Sequence, residues 1–244
     1  MSKLAEKIRR ATRLQAGAIG FGTAAPGREP SMVLVARTAD AAAAESLARK
    51  GADAVILDAR QLAAARLPKP AAGGAILGVF IGAQKEGESL ACKEAGYDFV
   101  VFDPDTAAAT ALLAEEIGYV LVLPAGLGDS DMRALEGLQL DAIDVGTIDG
   151  ALTVRRQLDL RRIYSMTRRA LMATVRPDVS VDELQAIRDT NVAIVCAESA
   201  AGVEQLRKTI DALPLRRQRK DAQDRPSPLV PRAHAPEDTE DDEE

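Results

Sequence analysis

Short, almost unbroken apolar runs recur along the chain at a nearly constant interval. They are Met32–Arg37, Ala54–Asp58, Ala75–Gly82, Phe99–Asp103, Tyr119–Pro124, Asp141–Val145, Leu171–Arg176 and Val192–Glu198. Each is rich in β-branched residues and too short for a helix. None alternates strictly between apolar and polar, which is the pattern of parallel strands buried on both faces. Their centres lie about 22 residues apart, with a longer interval of about 30 before the seventh. That spacing fits short βα units with one extended crossover.

Helical patterns fill the intervals. Asp40–Lys50 stops at Gly51, Glu86–Ala95 at Gly96 and Thr106–Ile117 at Gly118, each a glycine placed to end a helix. Ser130–Gly137 is short, Thr153–Thr167 is the longest, and Gly202–Leu213 closes the series. Val179–Asn191 contains Ser180 followed three residues later by Glu183, a capping-box pattern. Pro68 and Pro70 leave about two turns near Arg60–Leu67, the weakest of the set. An internal echo supports the repeat. Gly51–Asp58 (GADAVILD) matches Gly96–Asp103 (GYDFVVFD), and Asp141–Asp144 is a shorter variant, with an Asp at the strand entrance and another at its exit.

These alternating units predict an α/β protein, a single (β/α)8 TIM barrel with an N-terminal extension and a disordered acidic C-terminal tail. The rival is an open doubly wound sheet, but no outer strand carries the polar or Pro-interrupted pattern that an exposed edge requires. The expected divisions are an N-terminal helix and lead-in over 1–30, the barrel over 31–213 and the tail over 214–244. Leu4, Ile8 and Ala11 fall at helical spacing, as in an amphipathic surface helix. Beyond Leu213 a basic stretch, LRRQRK, leads into four prolines and a polar, acidic end, too poor in apolar surface to offset the entropy of ordering.

Composition narrows the chemistry. The chain is 47% hydrophobic with 3% aromatics and no Trp, so Ala, Val, Ile and Leu must build its core. No apolar run reaches the ~20 residues of a membrane span, and the N-terminus lacks the apolar segment of a secretory signal. Cys92 and Cys196 fall in a helix and a strand without metal-ligand spacing, which suits a reducing compartment, and the cytoplasm is expected. The net charge of −6 belongs to the end of the chain: without EDTEDDEE, 30 acids face 31 bases. A near-neutral body makes a nucleic-acid footprint unexpected. Arg155, Arg156, Arg161, Arg162, Arg168 and Arg169 sit in one helical region, where a solvated face is the ordinary explanation. The Ala-rich helices leave a homo-oligomer open.

In a barrel, chemistry belongs at the C-terminal strand ends. In chain order these are Arg37, Asp58, Gln84 with Lys85 beyond it, Asp103, Pro124, Asp144, Arg176 and Glu198. Closure would bring Arg37, Arg176 and Glu198 to one side and Asp58, Asp103 and Asp144 to the other. Two arginines suit a phosphate or carboxylate through bidentate hydrogen bonds, with Glu198 orienting one of them. Three carboxylates suit acid–base work or a Mg2+ ion that keeps water ligands. The plainer alternatives are helix capping, for which Asp103-Pro-Asp-Thr106 is suited, and an Arg176–Glu198 ion pair. The lone His234 lies in the tail and no lysine lies in a strand, so a histidine-based triad and a strand Schiff base are excluded from the barrel. Gly126-Leu-Gly128 reads only as a flexible turn.

Over Ser31–Leu213 the architecture resembles the phosphate-binding group of small barrels that includes thiamine-phosphate synthase and indole-glycerol-phosphate synthase. That resemblance implies phosphate binding at the turns after strands seven and eight, here Arg176–Ser180 and Glu198–Gly202. Ser199 and Gly202 fit the group's chemistry. The seventh-strand turn lacks glycine, so Arg176 would substitute with its side chain. The function so implied is a lyase or isomerase step on a small phosphorylated or carboxylated metabolite at the barrel mouth. A non-catalytic barrel serving as a binding or scaffold protein is the alternative.

Overall fold

The computed structural model describes residues 2–13, 30–62, 66–69, 73–82 and 87–214. The candidates Gln84 and Lys85, the middle of the expected short helix near Arg60–Leu67, the lead-in from 14 to 29 and the tail beyond 214 lie outside these. The strands are β1 (Val33–Thr38), β2 (Ala54–Asp58), β3 (Ile76–Phe80), β4 (Phe99–Phe102), β5 (Gly118–Val122), β6 (Ala142–Ile148), β7 (Ala170–Val175) and β8 (Val192–Ala197). They form one closed parallel barrel in sequence order, and β1 meets β8 with Val33 opposite Ile194 and Val35 opposite Cys196.

The side-chain period of two divides each strand between two apolar environments. Val33, Val35, Ala54, Ile56, Phe99, Val101, Val120, Ala142 and Met172 fill the interior. Their neighbours Leu34, Ala36, Val55, Leu57, Val100 and Leu121 face the helices. Both faces are dry, which is why the sequence shows continuous apolar runs. Gly78 is required by this packing, because a Cβ there would lie 2.2 Å from the Phe99 ring.

Seven α-helices accompany the strands among the described residues: α1 (Lys3–Thr12), α2 (Ala44–Arg49), α3 (Glu88–Glu94), α4 (Asp129–Ala134), α5 (Val154–Thr167), α6 (Val181–Arg188) and α7 (Ala200–Ala212). Ser180 caps α6 by accepting from Glu183 N, as its sequence suggests. Gly51 and Gly96 end their helices with φ of +103° and +101°.

Three expectations are corrected. Thr106–Ile117 is not an α-helix; only a 3-10 turn, Ala109–Leu113, forms. The carbonyl of Ala111 is taken by Ser89 Oγ at 2.6 Å and Tyr119 Oη at 2.8 Å, so tertiary donors claim it in place of a helical N–H. Gly118 therefore does not end a helix. It opens β5, where a Cβ would come within 2.2 Å of Asp141 Oδ2 and 2.8 Å of Ser2.

The third correction concerns α1, which is no surface helix. Leu4, Ile8 and Ala11 are buried in the same cluster as the barrel interior. The helix closes the N-terminal end of the barrel and is held by the entrance aspartates of the repeat. Asp98 accepts from Lys3 N at 3.1 Å and Leu4 N at 3.0 Å, Asp141 accepts from Ser2 Oγ, and Asp53 pairs with Lys7 at 2.9 Å. Asp98 satisfies amides that a helix start leaves unpaired and complements its positive end, while Asp141 and Asp53 hold the Ser2 and Lys7 side chains.

Candidate functional site

The opposite, C-terminal end carries the exit residues of the repeat. Arg37, near the end of β1, pairs with a carboxylate expected on the other side of the mouth. Its Nη2 donates to Asp144 Oδ2 on β6, three strands away round the ring, so the side chain crosses the mouth. Asp144 is 3% exposed and Arg37 25%. A register shift places Asp144 opposite Met172 but Thr147 opposite Thr174, one extra residue on β6. This bulge starts at the carboxylate, and Gly146, at φ +75°, donates its N–H to Asp144 Oδ1 at 3.0 Å. Bulges of this kind re-aim a side chain at barrel rims.

Cys196 is fully buried in the same region. Burial pushes its thiol up to about 12, and the Asp144 and Glu198 charges add to that, against Arg37. Burial disfavours the Arg37 cation, but Cys196 and Asp144 outweigh it and leave the guanidinium firmly protonated. Arg37 Nε is buried with no hydrogen-bond partner among the described residues.

Asp58, at the end of β2, meets a partner that the sequence reading missed. Arg60 Nε lies 2.9 Å from Asp58 Oδ1 and its Nη2 2.7 Å from Oδ2. The Arg60 guanidinium also covers the Phe80 ring, 4.9 Å from its centre. The side-chain bond from Arg60, assisted by its backbone N–H and by Arg37, holds the Asp58 carboxyl below its ordinary range despite partial burial. A cleft of about 550 Å³ opens here, lined by Ala39, Asp58, Arg60 and Gln61. The sequence signal was an Asp and an Arg two residues apart in a turn, a spacing too common to single out.

The remaining candidates are placed less centrally. Asp103 accepts from Asp105 N at 2.9 Å, closing a turn. Arg176 bonds Glu183 at 2.6 Å and approaches Asp178 at 3.3 Å, so Glu198 neither pairs with it nor orients it. Glu183 also accepts from Leu152 N at 3.1 Å, which ties the segment before α5 to α6. Ser199 caps α7 by accepting from Gly202 N at 3.1 Å. Glu198 is exposed and makes no hydrogen bond or ion pair with the described residues. Among those residues no group of three or more His, Cys, Asp or Glu side chains could hold a metal ion, so Asp58, Asp103 and Asp144 do not form such a group. In the arginine-rich region, Arg156 bonds Val145 O at 3.0 Å, Arg169 bonds Leu138 O at 2.7 Å and Arg162 pairs with Asp129.

No protein-family model and no curated protein sequence matches the chain. Its fold, however, matches solved barrels. KGPDC from Streptococcus mutans superposes with a TM-score of 0.56 at 10% identity, over 75% of this chain and 98% of the other. The 3-keto-L-gulonate-6-phosphate decarboxylase of Vibrio cholerae gives 0.54 at 15%, over 74% and 97%. The thiamine phosphate pyrophosphorylase of Pyrococcus furiosus gives 0.51 at 13%, over 74% and 95%. The chain is a (β/α)8 barrel, and its likeness to these structures is one of architecture. No helix among the described residues is long and apolar enough to cross a membrane.

Proposed function

We propose that the C-terminal mouth binds a small anionic metabolite, phosphorylated or carboxylated, and that the barrel acts on it as a lyase or isomerase. The observation that carries this reading is the Arg37–Asp144 pair. Sinking an arginine and an aspartate into a barrel mouth costs desolvation that well-packed apolar side chains would avoid. Here the pair stands at a bulge, close enough to the cleft for Arg37 to act electrostatically on both Asp58 and Arg60. Arg37 anchors the anion, and Asp144 fixes the direction of its guanidinium. Proton transfer falls to Glu198, which follows β8 just beyond the Ala36–Ala197 pair of the β1–β8 ladder and pairs with no cation among the described residues. The barrels named above include a decarboxylase and a pyrophosphorylase whose names each carry a phosphorylated compound, and the expected ligand class follows theirs.

The second reading, a non-catalytic binding or scaffold barrel, is favoured by the pairing of Arg37, Arg60 and Arg176 with carboxylates. One experiment separates the two. The full chain is screened by thermal unfolding against phosphorylated and carboxylated metabolites, with and without Mg2+, and ligands that raise Tm are then assayed for turnover. The enzyme reading expects a Tm rise that disappears in Arg37→Ala, with turnover that falls in Glu198→Gln while the Tm rise remains. Binding without turnover supports the scaffold; no Tm rise with any ligand removes the anion site.

A further inference from the structure

Arg60 has no place in the anion anchor just described, yet its geometry is that of a prepared cation. Its Nε and Nη2 are committed side-on to Asp58, at 2.9 and 2.7 Å. Phe80 supports one face of the guanidinium. A guanidinium has five N–H donors in a rigid planar fork. Binding a carboxylate through the Nε–Nη2 edge leaves the Nη1 end, and Nη1 of Arg60 has no partner among the described residues. The side chain is thus fixed by a carboxylate on one edge and a ring on one face, in a residue that lines the 550 Å³ cleft.

Arg37 and Arg60 also lie at different depths. Arg37 is level with Ile56 in the β1–β2 register, one inward-facing position below Asp58. Arg37 is 25% exposed and Arg60 57%. One is therefore at the floor of the mouth and the other at its rim. Their cationic charges act on each other, since Arg37 opposes protonation of Arg60. A ligand with a single acidic group can satisfy one of them. A ligand with an acidic group at each end can satisfy both and relieve their repulsion.

We propose that the mouth selects metabolites carrying two separated anionic groups, with the inner group on Arg37 and the outer group on Arg60. Asp58 and Phe80 are positioning residues that hold Arg60, and Asp58 takes no part in proton transfer. The inference rests on the anion-binding reading of the mouth and adds the substrate class.

The test compares matched probes on the full chain by isothermal titration calorimetry: butyrate against succinate, and glycerol 3-phosphate against 3-phosphoglycerate. The two-anion member of at least one pair is expected to bind about tenfold or more tightly, the scale of one charge-assisted hydrogen-bonded contact. Arg60→Gln removes that preference and leaves the one-anion member unchanged. Phe80→Leu and Asp58→Asn weaken the preference without touching the one-anion member. Because Arg60 is exposed at the rim, its substitution does not threaten folding. Equal affinity within each pair, or a preference that survives Arg60→Gln, overturns the inference while Arg37-dependent binding leaves the anion site standing. Failure of every probe to bind overturns both.

Discussion

Asp144 shows how one side chain can couple the fold to the site. Its carboxylate is nearly inaccessible and neutralises a guanidinium that cannot shed its proton, so Asp144→Ala leaves a mostly buried cation without a partner. Removing one member of a buried pair costs about 3–5 kcal/mol, and the partial exposure of Arg37 places this case near 3. Urea denaturation should show the loss, with less of it in an Arg37→Met/Asp144→Leu double variant. The cysteines make a second residue-scale prediction. Burial pushes the thiols up to about 11 at Cys92 and about 12 at Cys196. The thiolate is the reactive form, so neither should be alkylated by iodoacetamide at pH 8 until the chain is unfolded. Asp58 supplies a third. Its carboxyl is held low by Arg60, so the pair favours the folded state above the ordinary carboxylate range and is lost as pH falls through the lowered value. Arg60→Gln should move the Asp58 carbon chemical-shift titration upward.

At the scale of elements, α1 is the informative case. Its three apolar residues carry a helical period that reads equally well as a surface helix or as a plug. The choice is made by Asp53, Asp98 and Asp141, which lie as many as 139 positions further along the chain and converge only when the barrel closes. Leu4→Ala should cost about 2–3 kcal/mol by urea denaturation, as expected for a large apolar side chain deleted from a packed interior. An equal change at a truly surface helix would cost almost nothing. The same convergence explains Gly118, whose missing Cβ makes room for Ser2 and Asp141. A different set of tertiary contacts explains the lost helix before β5, where a favourable Ala-rich propensity yields to donors from Ser89 and Tyr119.

For the whole molecule, the barrel is sealed where the chain begins and ends its repeat. Leu213 is buried, and Arg188, itself 2% exposed, donates to Pro214 O at 2.6 Å and to Ser31 Oγ at 3.3 Å. This contact joins the segment before β1 to the segment after α7, beside the β1–β8 ladder. A chain stopped after Ala212 should be less stable than one stopped after Pro214 by about 2 kcal/mol or more, the value of one buried leucine, and thermal unfolding of the two would show the difference.

The strands were legible because each has both faces covered by apolar side chains, a local demand that composition alone records within five or six residues. Val33–Thr38, Ala54–Asp58 and Val192–Ala197 begin within a residue of their apolar runs for that reason. The closed barrel followed from the number and spacing of those runs, and Ser180 was readable as a cap because its partner is three residues away. The exit positions Arg37, Asp58 and Asp144 were readable as mouth residues from the same count. Their partners were not. Arg37 crosses to Asp144, Asp58 turns to Arg60, and Arg176 joins Glu183 instead of Glu198, because pairing depends on side-chain reach, on a one-residue bulge in β6 and on the stagger of the closed sheet. Periodicity within the chain determined which residues face the mouth; contacts across the barrel, between residues as many as 107 positions apart, decided which charges meet there.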